Sequence, residues 1–243
     1  MRRSPQGTPS ASARRLRDIF GRLLARYGPQ GWWPGDDRPF VVVVGAILTQ
    51  AAAWKNVEKA LRNLEGAGVL TPEGLLRLPE EELARLVHPA GYYNAKARKL
   101  KAFAEMVHGR YGGRLEALFA LPLPELRRAL LETHGIGPET ADDIILYAAG
   151  QPVFVVDAYT RRIFSRVGLR PGEDAYGAWQ FFFVARLPPR VPQFKEYHAL
   201  LVRHGKDTCR REPGCPSCCL LHVCETGREM MVAGRAALTP PEG

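Results

Sequence analysis

The chain has 243 residues, 46% of them hydrophobic, with 34 Lys and Arg against 25 Asp and Glu, a net charge of +9. That apolar content suits one large domain or two small lobes and excludes wholesale disorder, and the positive excess points to a polyanionic partner, nucleic acid first. No apolar run approaches the ~20 residues of a membrane helix, and residues 1–13 lack the apolar core of a secretory signal, so neither a membrane protein nor a secreted one is expected.

Residues 1–13 read as a flexible tail. From Arg14 the pattern is helical: Leu16, Ile19, Phe20, Leu23 and Leu24 share one face, with Arg14, Arg15, Arg17 and Arg22 off it, until Gly28 and Pro29. Gly31, Trp32, Trp33, Pro34 and Gly35 form a turn-rich loop. Residues 40–48 pull two ways. Four consecutive valines favour a strand by propensity, whereas the unbroken run into Ala51, Ala52 and Ala53 favours a buried helix. With no other credible strand to pair with, the expectation is helix.

Further helices are expected at 54–65, 72–77, 80–87, 94–110, 114–119, 124–133, 138–149, 157–168, 174–187 and 192–205. Thr71, Pro72 and Glu73 supply an N-cap, a first-turn proline and a first-turn acid, and the sequences before Glu80 and Glu125 resemble that start. Residues 226–243 read as a second loose tail. The fold class is all-α.

Between two helical patterns stand Gly135, Ile136, Gly137 and Pro138. The glycines permit a sharp turn and close backbone approach, Pro138 suits a first helical turn, and free N–H groups there can bind a phosphate oxygen without reading base sequence. About twenty residues on, the apolar stretch Val153 to Val156 ends in Asp157 at a helix start. Asp157 is an N-cap candidate by position and a catalytic carboxylate by context.

All five cysteines fall between 209 and 224, and Cys209, Cys215, Cys218 and Cys224 are separated by five, two and five residues. Such clustering reads as a metal site in a reducing compartment rather than a disulfide framework. Four thiolates in so short a loop suit either tetrahedral zinc or an iron–sulfur cluster; spacing does not choose between them, and Cys219 is the spare. His88, His134, His198 and His204 lack metal-ligand spacing and read as structural.

Together these segments resemble the helix-hairpin-helix DNA glycosylase superfamily, specifically the endonuclease III group, from about residue 30 to 224. The loop at Trp32, the hairpin with Glu139, Thr140, Ala141 and Asp142, and Val155 to Tyr159 are similar to the branch that includes 3-methyladenine glycosylases. The resemblance implies a six-helix barrel lobe at 38–151, with the hairpin at 125–149. It implies a discontinuous lobe of 14–37 and 152–225 holding a [4Fe–4S] cluster on the four cysteines. DNA would lie in a cleft between the lobes, with the target base flipped out.

Asp157 matches the family's catalytic aspartate: cleaving an N-glycosidic bond builds positive charge on the sugar, which a carboxylate stabilises while orienting water. Glu139 stands where strand-cleaving members carry a Schiff-base lysine, so the resemblance implies a monofunctional enzyme, with Glu139 a possible water-positioning group. Lys96 and Lys206 are the stand-ins to consider for that lysine. Gln50 matches the glutamine that fills the gap left by the extruded base, and Tyr92 occupies the position of the strand wedge. Lys96, Arg98, Lys99 and Lys101 form a basic segment beside the wedge, suited to phosphate.

Trp32, Trp33 and Trp54 could stack on a cationic alkylated base or simply bury a lobe interface. The expected substrate is double-stranded DNA containing a damaged base, an alkylated purine first. The rivals are a glycosylase/lyase for oxidised pyrimidines and a non-catalytic DNA-binding protein. The resemblance further implies a monomer in the bacterial cytoplasm, associated with the nucleoid.

Overall fold

The computed structural model describes residues 10–31 and 38–236, and its regular elements are all helical. The chain divides into two compact units, Trp33–Val153 and Met1–Trp32 with Phe154–Gly243.

The first unit is built around α2 (Pro39–Thr49), in which every residue from Phe40 to Leu48 is buried. β-branched residues cost up to about 0.7 kcal/mol each in a helix, whereas fully burying a valine stabilises by about 1.5–3 kcal/mol, so packing overrides the strand propensity of the four valines. The amphipathic α3 (Trp54–Gly66) buries Val57, Ala60 and Leu64.

The short α4 (Pro72–Arg77) starts as its sequence predicts, Thr71 Oγ1 accepting from Gly74 N at 3.0 Å. The next helix, α5 (Glu80–Val87), has Glu80, Glu81 and Glu82 in its first turn, where the helix dipole favours them. The long α6 (Tyr93–Tyr111) packs on α2, α4 and α5. Then come α7 (Leu115–Phe119), α8 (Leu123–Leu131) and α9 (Pro138–Asp143).

From α9 the chain enters a wider π turn, Ile144–Ala148, marked by the bond from Ala149 N to the Ile144 carbonyl at 3.0 Å. The wider turn sinks four consecutive residues, Ile144 to Tyr147, into the core.

The second unit opens with α1 (Ala11–Tyr27), which buries Ala13, Leu16, Ile19 and Leu23. It begins inside the stretch expected to be a tail, because Ser10 Oγ accepts from Ala13 N at 3.2 Å and caps it. The chain returns with α10 (Ala158–Val167), α11 (Tyr176–Val184) and α12 (Val191–Asp207).

The core of this unit is aromatic. Phe154 stacks on Phe183 at 4.1 Å between centroids, and Phe164 and Tyr197 close around them edge-on. Tyr197 satisfies its buried hydroxyl by donating to the Leu16 carbonyl at 2.8 Å. The Tyr159 ring lies where a Cβ on Gly205 would stand, so glycine lets α10 and α12 approach.

Beyond Cys224 the composition predicts a loose tail, but the chain instead forms α13 (Glu225–Ala236). Glu225 favours the first turn, and the Gly227 N–H is held by Cys224 Sγ at 3.4 Å. Among the described residues no helix is long and apolar enough to cross a membrane.

Candidate active site and cysteine loop

Val153, Phe154, Val155 and Val156 are at most 4% exposed, and this buried extended segment delivers Asp157 to the start of α10. Asp157 Oδ1 accepts from Thr160 N at 2.7 Å, a helix N-cap. Its other oxygen, Oδ2, lies 3.5 Å from His198 Nε2 on α12. Burial pushes the Asp157 carboxyl up, but His198 and the Thr160 amide pull it down further, leaving it below the usual carboxylate value. The result is a buried carboxylate that is charged at neutral pH, with one oxygen fixed by the backbone and one facing a histidine. Such a group can stabilise a cation forming beside it.

The hairpin lies in the other unit. Gly135 has φ +81°, and a Cβ there would collide with the stem of Lys99 at 2.3 Å. Gly137 is different: its backbone is extended, and a Cβ would meet nothing within 4 Å. Its glycine is therefore not required by the chain's own packing. Pro138 takes the first position of α9, and Glu139 follows it, exposed, in the first turn. Asp142 is fully buried and paired with Arg127 Nε at 2.8 Å, tying α9 to α8.

Gln50 ends α2, and the next residue, Ala51, adopts φ +51°, the left-handed region that a non-glycine residue seldom enters. The Gln50 amide reaches the hairpin. Its Nε2 donates to the Gly135 carbonyl at 3.2 Å and to Thr140 Oγ1 at 2.9 Å, while Oε1 accepts from Lys99 Nζ. One side chain thus joins the end of α2, the hairpin and α6. Trp54, half-buried at the start of α3, donates its indole N–H to Glu58 Oε1 at 3.0 Å. Trp32 and Trp33 lie outside the described residues.

Tyr92 is 75% exposed and left-handed, at φ +45° and ψ 34°. The ring therefore contributes little to the unit's own packing, and its backbone is strained. The structure places Lys96, which the basic run sets on a DNA-facing surface, inside the unit instead. It is 2% exposed and donates from Nζ to the Ala90 carbonyl at 2.7 Å. Burial and the neighbouring Lys99 push its ammonium below the usual lysine range.

The rest of that run is also engaged. Lys101 Nζ caps the carbonyls of Leu75 and Leu76 at 3.2 and 3.3 Å, and Arg98 pairs with Glu80 at 3.4 Å. Side chains that sequence reading assigns to a solvated or DNA-facing strip are instead used on the unit's own carbonyls and acids.

Cys209, Cys215, Cys218 and Cys224 line one pocket with Ile163, Val167 and Leu220, whereas Cys219 is not in that lining. Polar hydrogens converge on the sulfurs. Arg166 Nη1 donates to Cys209 Sγ at 3.3 Å, and Leu220 N to Cys218 Sγ at 3.4 Å. His204 Nε2 lies 3.7 Å from Cys218 Sγ, and its Nδ1 is 2.9 Å from the Tyr27 hydroxyl. Burial pushes the Cys218 thiol up to about 11, a cost that a coordinated cation reverses. Among the described residues no group of three or more His, Cys, Asp or Glu stands at metal-binding separation, so the loop shows four convergent thiols rather than a coordination shell. An apolar wall, four sulfurs and N–H donors aimed at them fit a thiolate-held metal centre, an iron–sulfur cluster or zinc.

Sequence reasoning reads His198 as structural and Lys99 as part of a phosphate-facing segment, and foresees neither one's contact with the site. Each acts across elements, His198 from α12 toward the start of α10 and Lys99 from α6 to the end of α2, and no local spacing announces such a contact.

An all-helical chain with a glycine hairpin and a buried aspartate at the following helix start defines a helix-hairpin-helix repair protein. The chain belongs to the HhH-GPD superfamily of base excision DNA repair proteins, whose model matches residues 44–188. A candidate DNA repair glycosylase of Methanocaldococcus jannaschii is 43% identical over 85% of this chain and 94% of its own length. A structure of the H. pylori 3-methyladenine DNA glycosylase bound to 1,N6-ethenoadenine matches with a TM-score of 0.67 and 26% identity, over 80% of this chain and 97% of that one. A non-covalent endonuclease III–DNA complex matches with a TM-score of 0.78 and 24% identity, over 90% of this chain and 98% of the other, a likeness of fold.

Proposed function

We propose that the protein is a monofunctional DNA glycosylase that hydrolyses the N-glycosidic bond of a flipped, damaged base in double-stranded DNA, an alkylated purine such as 3-methyladenine. The observation that carries this reading is the ionised, buried Asp157, and it is supported by the sequence, in which a glutamate, Glu139, stands at the hairpin position of the family's Schiff-base lysine. Asp157 stabilises the sugar cation and orients the attacking water; Glu139 cannot form an imine. Lys96 is no substitute, because its ammonium is buried against the Ala90 carbonyl. The relative from H. pylori, named for 3-methyladenine, supports the substrate class.

Residues 38–151 would act as the barrel lobe, carrying the hairpin, Gln50 and Tyr92. Residues 14–37 and 152–225 would act as the cluster lobe. Cys209, Cys215, Cys218 and Cys224 would hold a [4Fe–4S] cluster, whose chemistry is to cross-link and order the loop between α12 and α13.

A panel of single-lesion duplexes, scored with and without alkaline cleavage, tests the substrate and the lyase step together. Strand breaks are expected only after alkali, and borohydride is expected to trap no covalent adduct on the active substrate. A trapped adduct would show the rival glycosylase/lyase chemistry.

Lys96 serves here by steadying the turn below Tyr92 rather than by touching phosphate. Lys96→Met is expected to leave the salt slope of DNA binding unchanged, where loss of a phosphate contact would lower it by about 0.9. The same variant is expected to weaken base unstacking several-fold, read by 2-aminopurine fluorescence beside the lesion. A reduced salt slope would return Lys96 to the DNA surface.

A further inference from the structure

We propose that His198 is a positioning residue for Asp157, fixing which carboxylate oxygen faces the reaction. The inference rests on the reading of Asp157 as the charge-stabilising group and deepens it.

Two separate helices contribute to this pair. Asp157 is the N-cap of α10 and is 8% exposed, while His198, in the middle of α12, is 5% exposed. The cap needs only one oxygen, and Oδ1 supplies it to Thr160 N at 2.7 Å. Capping alone, worth about 1 kcal/mol, does not call for a buried imidazole from another helix. Burying such a ring carries a desolvation cost that an apolar side chain would avoid. The ring reaches across from α12 to Oδ2, 3.5 Å from its Nε2.

A carboxylate held at one oxygen can still turn about the bond to its methylene carbon. Turning would break the Thr160 cap or carry Oδ2 away from its reacting position. An Nε2–H turned toward Oδ2 would give the group a second point of attachment on a different helix. At 3.5 Å the contact is longer than the 2.7–2.9 Å of a strong charge-assisted bond, so it constrains Oδ2 while leaving it open to other partners. An ionised carboxylate has roughly four lone-pair sites. One serves Thr160 and one faces His198, which leaves sites for a water and for the electron-poor sugar.

The test compares His198→Phe, which keeps a ring without nitrogen, with His198→Gln, which keeps a donor of similar reach. Each is assayed for single-turnover base release, for binding to a duplex with a non-hydrolysable abasic analogue, and for thermal melting. His198→Phe is expected to slow base release about 10- to 100-fold, the scale of a misplaced catalytic group, with DNA affinity unchanged and melting retained. His198→Gln is expected to stay within a few-fold of the native rate. A His198→Phe enzyme that is fully active, or a folded His198→Gln enzyme as slow as His198→Phe, would overturn the proposal. Asp157→Asn run in parallel separates the two claims. If it is as active as the native protein, the reading of Asp157 has failed. If it is inactive while His198→Phe is normal, only the role of His198 has failed.

Discussion

Asp157→Asn is expected to cut single-turnover base release on the order of 10³-fold while leaving the protein folded, the combined scale of losing a charge-stabilising group and a water-orienting base. Asparagine is the right substitution because it caps a helix about as well as aspartate, so Thr160 N keeps its acceptor and α10 its first turn. Asp157→Ala would confuse the result, since losing the cap costs about 1 kcal/mol by itself.

The pH dependence follows from the direction of the Asp157 shift. Its carboxyl is held below the usual value in the folded protein. Its contribution to stability is therefore complete above the unfolded value of about 3.9 and is lost as pH falls through the lower folded value. Base release is accordingly expected to show no carboxylate limb between about pH 5 and 8. An Asp157-dependent decline within that window, measured against the asparagine variant, would contradict an ionised resting carboxylate.

Replacing Cys218 with alanine is expected to have the second large effect. Iron content and the visible absorption of the cluster should fall together, and the melting temperature should drop by about 10 °C. That drop corresponds to several kcal/mol in a chain of this size, the scale on which structural metal sites support folding. Cys219→Ala is the control, because Cys219 does not line the pocket shared by the other four cysteines. It should keep the iron, the colour and the melting temperature. If Cys219→Ala loses iron while Cys218→Ala keeps it, the assignment of Cys218 as the ligand fails.

Much of the fold was legible because the strongest local signals agreed with the tertiary packing. Thr71, Pro72 and Glu73 start α4 as their chemistry demands, and the valine-rich run is helical because its complete burial outweighs its strand propensity. At the inner ends of both expected tails, residues 11–13 and 226–236 are helical for a shared reason. The Ser10 cap and the first-turn acid Glu225 are small signals that a polar, glycine-containing composition hides, and α1 is held besides by the burial of Ala13, Leu16, Ile19 and Leu23.

In the candidate site, the placement of Asp157 at a helix start and of four cysteines around one pocket was legible because each sits beside a pattern in its own segment. His198 could not, since its meaning depends on α12 passing the start of α10. The basic segment misled in the opposite direction. Charge along a sequence says nothing about where a four-carbon stem ends, and Lys96 and Lys101 both end on backbone carbonyls.

The π turn at Ile144–Ala148 bears on how this chain should be aligned with others. Such a turn holds one more residue than the α-helical turn it replaces, and one residue amounts to about 100° of rotation around a helix axis. A homologue lacking that residue would keep the hairpin and the following aspartate but would present a different set of side chains in between. Gaps placed elsewhere in this segment would then equate positions that do not share a face. Length variation here should be confined to 144–148 before any residue between the hairpin and Asp157 is compared across species.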